Sequence, residues 1–310
     1  MPRVLIIRPG ALGDSLMLLP ALKDLEGKVR ITLVGRQPGI GFIRPYVDSV
    51  MDLEGSGWHR LFMHTPDPKG LPVSDMDIAM AFFGDEGDLI RRNLEQSLPG
   101  AAIHLFRSFP CKGEAVHTAE HLARCLASAG LPVDPERCIR AAKKGVLCQE
   151  RRRPERQKKI VLHPGSGSIE KNHPPAFWID LMGRFRQDRK FMDFTCIVLL
   201  GPAEHSLYAC IEAGLGSRNA EIVCSWDSDH LLRTLERASL YVGHDSGVTH
   251  LSAMRCVPTV ALFKNSDPAQ WAPVGPFVRL AHGRKPDPDL IDEILCAARD
   301  LVWQNSLSAP

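Results

Sequence analysis

Short apolar runs alternate with amphipathic stretches along nearly the whole chain. In the amino-terminal half, residues 4–8, 30–35, 49–53, 77–82 and 101–106 read as strands, and 15–26, 86–96 and 116–129 have helical spacing of apolar positions. The pattern resumes further on. Strands are predicted at 160–163, 195–201, 221–224, 240–243 and 259–263, with helices at 175–186, 204–213, 229–238 and 248–254. A last helical run over 290–303 closes the chain. Short, continuously apolar strands separated by helices predict parallel sheets covered on both faces. Residues 58–73, rich in Pro and His, read as a loop insertion of the kind that shapes binding surfaces. Residues 143–159 are polar, carry charges of both signs and contain Pro154, which is the composition of a solvated linker. The expected organisation is therefore α/β, with one doubly wound domain over 1–150 and another over 151–310. The closing helix, 288–304, is a candidate to pack back on the amino-terminal domain.

Composition narrows the function. A chain of 310 residues has room for two domains, and 44% hydrophobic with 24% charged residues is ordinary for a globular protein. A net charge of +2, with no aromatic-plus-basic motif, argues against nucleic-acid binding. Nine cysteines without a C-x-x-C pair argue against a zinc site and predict reduced thiols in the cytoplasm. Residues 4–7 read as a first strand rather than a secretory segment, and the apolar stretch 15–22 is too short to span a bilayer.

Candidate chemistry lies at the strand-to-helix junctions. In Tyr241-Val242-Gly243-His244-Asp245-Ser246-Gly247-Val248-Thr249-His250-Leu251, a strand turns into a helix beginning near Val248. The unpartnered amides and positive dipole end of a helix suit an anion, and Gly247 allows close approach. Taken alone, helix capping by Asp245 or Ser246 explains the segment better. A second junction, His163-Pro164-Gly165-Ser166-Gly167-Ser168-Ile169-Glu170-Lys171-Asn172-His173-Pro174, offers loop amides, hydroxyls and a compact cation. It lacks the Walker spacing, which disfavours an ATPase. Leu200-Gly201-Pro202-Ala203-Glu204-His205 is a third. Three such junctions in one half suggest a nucleotide site at the carboxyl ends of parallel strands. At the amino terminus, Gly10-Ala11-Leu12-Gly13-Asp14 follows the first strand but does not match G-x-G-x-x-G. Asp14 is equally suited to cap the next helix or to act as a base.

Together these segments, with Pro20, Pro258-Thr259-Val260-Ala261-Leu262-Phe263, Pro268, Trp271 and Pro273, resemble the lipopolysaccharide heptosyltransferases, glycosyltransferase family 9. They occur in family order through most of the chain, and the carboxyl-terminal half carries the specific matches. The resemblance implies a GT-B fold of two facing Rossmann-like domains. It implies an inverting transfer of a heptose or similar sugar from an ADP-sugar, commonly ADP-heptose, to a glycolipid or oligosaccharide acceptor such as a lipopolysaccharide core. Asp14 would be the general base, on an acceptor-side loop with Gly10 and Gly13. Lys171 would bind the diphosphate and stabilise departing ADP, with Ser166 and Ser168 holding phosphate. Glu204 would meet the ribose, Asp245 the sugar, and the Ser246, Gly247 and Val248 amides the diphosphate. His250 would touch phosphate or pack the helix. No cofactor or metal is required, and the enzyme would be cytoplasmic, with possible peripheral contact at the inner membrane.

Two departures stand out. The family often has tryptophan before the proline where this chain has Asn172-His173-Pro174, and Phe-Gly where it has Phe263-Lys264. Either suits a changed donor preference. Asp227-Ser228-Asp229 matches the D-x-D spelling of metal-dependent glycosyltransferases but precedes an amphipathic helix, where capping explains it better. The rival readings are a non-catalytic protein that binds a nucleotide or glycan, and a transferase or epimerase that uses another nucleotide-sugar.

Overall fold

A computed structural model describes residues 1–65, 67–84, 87–111, 113–148, 156–215, 220–224 and 227–307. The chain forms two compact units, Met1–Ala141 and Ala142–Pro310. The centre of the predicted linker, 149–155, lies outside the described residues, as does Glu86 of the predicted helix 86–96.

In the first unit the strands are β1 (Arg3–Arg8), β2 (Arg30–Gly35), β3 (Ser49–Asp52), β4 (Ile78–Phe82) and β5 (Ala102–Phe106). Its helices are α1 (Leu12–Leu16), α2 (Leu19–Leu25), α3 (Gly39–Ile43), α4 (Gly87–Ser97) and α5 (Thr118–Ser128), and α6 (Pro135–Lys143) runs over the boundary between the units. All pairings are parallel and the strand order is β3-β2-β1-β4-β5. Val4 to Ile7 are fully buried, as expected for a central strand covered on both faces. The single helix predicted over 15–26 is two. Pro20 has no N–H to continue a helix from the turn before it, so α2 restarts there, with Pro20 in its first turn. The insertion at 58–73 contains a 3-10 turn, Trp58–Phe62, whose Trp58 and Leu61 join the core with Leu5, Ile7, Ile90 and Leu94.

The second unit contains β6 (Gln157–His163), β7 (Thr195–Leu200), β8 (Ala220–Cys224), β9 (Ala238–His244), β10 (Thr259–Phe263) and β11 (Val278–His282). Its helices are α7 (Pro175–Gln187), α8 (Tyr208–Leu215), α9 (Ser228–Glu236), α10 (Gly247–Met254), α11 (Pro268–Trp271) and α12 (Pro288–Leu307). The sheet is parallel, in the order β11-β10-β9-β6-β7-β8. This is the Rossmann order: the chain winds outward from β6 through β7 to β8, then crosses back to β9 and winds the other way. Helix α12 packs on β9, β10, β11 and α7 of this unit, and Leu290, Ile294 and Leu295 join Trp178, Phe185 and Phe191 in the core. β11 escaped the sequence reading because Arg279 interrupts its short apolar run at the edge of the sheet.

One expectation fails. Cys148 and Cys256 form a disulfide, which ties the 3-10 turn Val146–Cys148 to the end of α10. Two cysteines 108 residues apart in sequence give no local spacing signal, so the prediction of nine reduced thiols could not anticipate a pair made by tertiary folding.

Candidate active site

Ligands of open parallel sheets sit beyond the carboxyl ends of the strands where the winding reverses. In the second unit that point is β6 beside β9, which end in His163 and His244. The three predicted junctions leave from β6, β7 and β9, so the topology gathers them at one sheet edge.

The junction after β7 is built around Glu204. Its Oε2 accepts from the Gly201 N–H at 2.9 Å and lies 3.8 Å from His163 Nε2, and the side chain is 6% exposed. Burial opposes its ionisation, but the nearby His163 ring and the Gly201 amide outweigh that and hold its pKa below the usual carboxylate value. Gly165 makes this approach possible. A Cβ there would stand 2.0 Å from Glu204 Oε1. The other His163 ring nitrogen, Nδ1, lies 3.5 Å from Ser246 Oγ, so one imidazole spans the β7 and β9 junctions.

Lys171 and Asp245, 74 residues apart in sequence, form an ion pair of 2.8 Å. The Asp245 carboxylate is buried, and its Oδ1 faces His250 Nε2 at 3.5 Å. Burial alone would raise its pKa; His250, Lys171 and Ser266 reverse that and bring it to about 2. The Lys171 side chain stays 35% exposed while its ammonium rests against this buried anion. Ser246, not Asp245, caps α10 by accepting from the Thr249 N–H, which leaves the aspartate for the lysine. Ser246, Gly247 and Val248 are half-buried at the start of this eight-residue helix. His250 is buried on the same helix, touching Asp245 through one nitrogen.

Ser166 and Ser168 divide. Ser166 is turned into its own loop, with Oγ 2.8 Å from the Ser168 carbonyl and 2.7 Å from Asn172 Oδ1. Ser168 is half-buried beyond it.

In the first unit, Asp14 stands in the first turn of α1, and its Oδ2 accepts from the Ala11 N–H at 2.9 Å. The N-cap of α1 is Ala11, and Asp14 at the third helical position satisfies its amide from within the helix, half-buried. Gly10 lets the carboxylate fold back: a Cβ there would lie 2.4 Å from Asp14 Cβ. Gly13 lies within α1 beside it. Behind this loop Arg8 is 1% exposed, between the rings of Phe82 and Phe109 at 5.4 and 5.1 Å, and donates to the Ser108 carbonyl at 2.8 Å. Burial lowers its pKa to about 10, against the pull of Asp14.

Among the described residues no group of three His, Cys, Asp or Glu is placed to hold a metal ion. Asp227 of the D-x-D spelling caps α9 by accepting from the His230 N–H. His117 and His121, four apart, are engaged separately: His117 caps α5, and His121 Nε2 lies 3.0 Å from the Arg107 carbonyl. No helix among the described residues is long and apolar enough to cross a membrane.

Two parallel Rossmann-like sheets define an α/β protein of the GT-B type. The family model for glycosyltransferase family 9 (heptosyltransferase) matches residues 111–289, more than half of the chain, and the chain belongs to that family of glycosyltransferases. Solved structures agree on the fold. A family 9 glycosyltransferase from Veillonella parvula superposes with a TM-score of 0.70 at 15% identity, over 98% of each chain. The Escherichia coli ADP-heptose lipopolysaccharide heptosyltransferase II gives 0.69 at 15% identity, over 98% of this chain and 99% of that one. The E. coli heptosyltransferase WaaC with ADP gives 0.67 at 15%, over 96% and 99%. No curated protein matches in a sequence search.

Several residues at this edge were not singled out for a role by sequence reasoning. His163 and His244 carry one local signal, a polar residue that ends an apolar strand, and Asn265 carries none.

Proposed function

We propose that the protein is an inverting glycosyltransferase that moves a heptose or similar sugar from an ADP-sugar to a glycan acceptor of the lipopolysaccharide-core type. The observation that carries this reading is the Lys171–Asp245 pair, at the switch-point edge and beside the start of α10. A half-exposed ammonium anchored on a buried carboxylate, next to helix amides, suits a diphosphate that leaves with extra negative charge. Lys171 neutralises that charge, and the Ser246, Gly247 and Val248 amides bind the phosphates. Asp245 reaches the sugar, and Glu204 meets the ribose hydroxyls. Ser168 contacts phosphate, while Ser166 keeps the loop in shape. His250 holds Asp245. In the first unit, Asp14 on the Gly10–Gly13 loop takes the proton from the acceptor hydroxyl. A glycolipid acceptor would bring the protein into peripheral contact with a membrane surface.

The test has two stages. A melting-point panel of ADP-, UDP-, GDP- and CMP-sugars identifies the donor, because a ligand at a hundredfold excess over its Kd stabilises by about 2.7 kcal/mol. Mass spectrometry of products from a glycolipid and oligosaccharide screen then identifies the acceptor. Lys171→Ala is expected to cut turnover about a hundredfold to a thousandfold, the effect of losing one electrostatic stabiliser of a leaving group. Asp14→Asn is expected to cut it severely. Selective stabilisation by a UDP- or GDP-sugar would overturn the donor, and near-normal turnover of Asp14→Asn would remove its role as base.

A further inference from the structure

The loop between β6 and α7 carries Lys171 but is not held by its own residues alone. His244, the last residue of β9, is fully buried and uses both ring nitrogens on this loop. Its Nδ1 lies 3.1 Å from the Pro164 carbonyl at the start of the loop, and its Nε2 accepts from the His173 N–H at 2.9 Å near the end. One imidazole thus closes both ends. The rungs between come from the segment after β10: Asn265 donates to the Glu170 carbonyl and Lys264 Nζ to the Asn172 carbonyl, each at 2.9 Å. The carbonyls on either side of Lys171 are therefore both fixed from outside the loop.

We propose that His244 is a positioning residue for the glycosyl-transfer reaction, holding the 164–173 loop so that Lys171 meets the leaving diphosphate. The assignment rests on the reading of Lys171 given above. The geometry specifies the chemical state of the ring. A carbonyl can only accept and an amide N–H can only donate, so His244 carries its proton on Nδ1 and keeps Nε2 bare. A charged imidazolium would put an N–H against the His173 N–H and break the clasp. Burial, together with His173, His163 and Lys264 nearby, brings its pKa down to about 3, which keeps it neutral at any working pH. The ring is also packed against two others: His173, tilted, at 5.3 Å and Trp178, near-perpendicular, at 5.1 Å between centroids. Asp245, which anchors the ammonium, is the next residue in the chain, so a displaced His244 would shift both members of the ion pair.

Three proteins test this: His244→Phe, which keeps a ring but loses both bonds, Lys171→Ala, and the double variant. His244→Phe is expected to lower kcat by about a hundredfold, the cost of misplacing a reacting group by around an ångström. In the Lys171→Ala background the same change is expected to cost less than about threefold, since the group it positions is gone. Full additivity of the two losses, or unchanged kcat in His244→Phe, would overturn the proposal while leaving Lys171 intact. A harmless Lys171→Ala would instead overturn the reading of Lys171. Should His244→Phe fail to fold, nitrogen NMR of histidine-labelled wild-type protein decides. An Nδ1–H tautomer that does not titrate between about pH 5 and 8 is expected, and an Nε2–H or titrating ring would sink the idea.

Discussion

Gly165→Ala puts the architecture of the nucleotide side to a direct test. A Cβ at that position would lie 2.0 Å from Glu204 Oε1, 2.1 Å from Cδ and 2.2 Å from Cγ, all far inside contact distance. The glutamate has to move. Leaving its place gives up the 2.9 Å bond from the Gly201 N–H and the approach to His163, in a side chain that is 6% exposed. A hydrogen bond to a charged group is worth about 1.5–3 kcal/mol, so the loss of one, with part of the imidazole attraction, comes to roughly 2–4 kcal/mol. At roughly 2–4 °C per kcal/mol for a unit of this size, the melting point should drop by about 5–15 °C. Differential scanning calorimetry measures the drop, and ADP titration calorimetry should show weakened binding in parallel. The control is Glu204→Ala, which removes the obstructing atoms. In that background Gly165→Ala should be nearly neutral, because contacting residues are not additive. Equal penalties of Gly165→Ala with and without Glu204 would refute the reasoning.

Other outcomes follow from the same geometry. The Asp245 pKa is held at about 2, below the 3.8 of a free aspartate, a difference worth about 2 kcal/mol of folding stability. Because the folded-state pKa is the lower one, that stability is complete above about pH 4 and is lost as pH falls towards 2. Urea titrations across this window should show a steep loss in wild type and a shallower one in Asp245→Asn; matching slopes would argue against the ion pair. The Cys148–Cys256 bond closes a loop with a separation of 108 residues, for which chain entropy gives up to about 5 kcal/mol. Reduction, or Cys148→Ser, should lower the melting point by several degrees, and a non-reducing peptide map should recover the linked pair. Burial pushes the thiols of Cys125, Cys138 and Cys196 up to about 11, 12 and 11, whereas Cys111, Cys210 and Cys296 are exposed. Brief iodoacetamide treatment at about pH 8 should label the exposed three first, as read by mass spectrometry, with rapid labelling of Cys138 as the contrary result.

Much of this protein is legible along the chain because parallel strands buried on both faces must be continuously apolar, and the helices between them must be amphipathic. That periodicity placed ten of the strands within a few residues and both Rossmann-like halves in order. The strand-to-helix junctions are equally local: a glycine that permits close approach, a hydroxyl that caps, a lysine before a proline. Asp14, Lys171, Glu204 and Asp245 could therefore be picked out without coordinates. What each side chain does there was not local. Whether Asp245 or Ser246 capped α10 depended on Lys171, 74 residues away. Ser166 Oγ meets Asn172 because the loop has a curvature that its sequence does not state.

The partners of His244 and Lys264 lie 71 and 92 residues from them, and the Cys148–Cys256 pair spans 108. The first two contacts exist because a parallel sheet returns every strand to the same edge after a helical crossover, so distant residues meet at the carboxyl ends; the disulfide joins the segment before β6 to the end of α10, at the opposite edge. A periodic pattern records which face of an element is buried, and so the sequence by itself determined the elements and the candidate groups. It carries no record of which two strand ends become neighbours. The strand order, and with it the clasp on the lysine loop, was decided by tertiary packing alone.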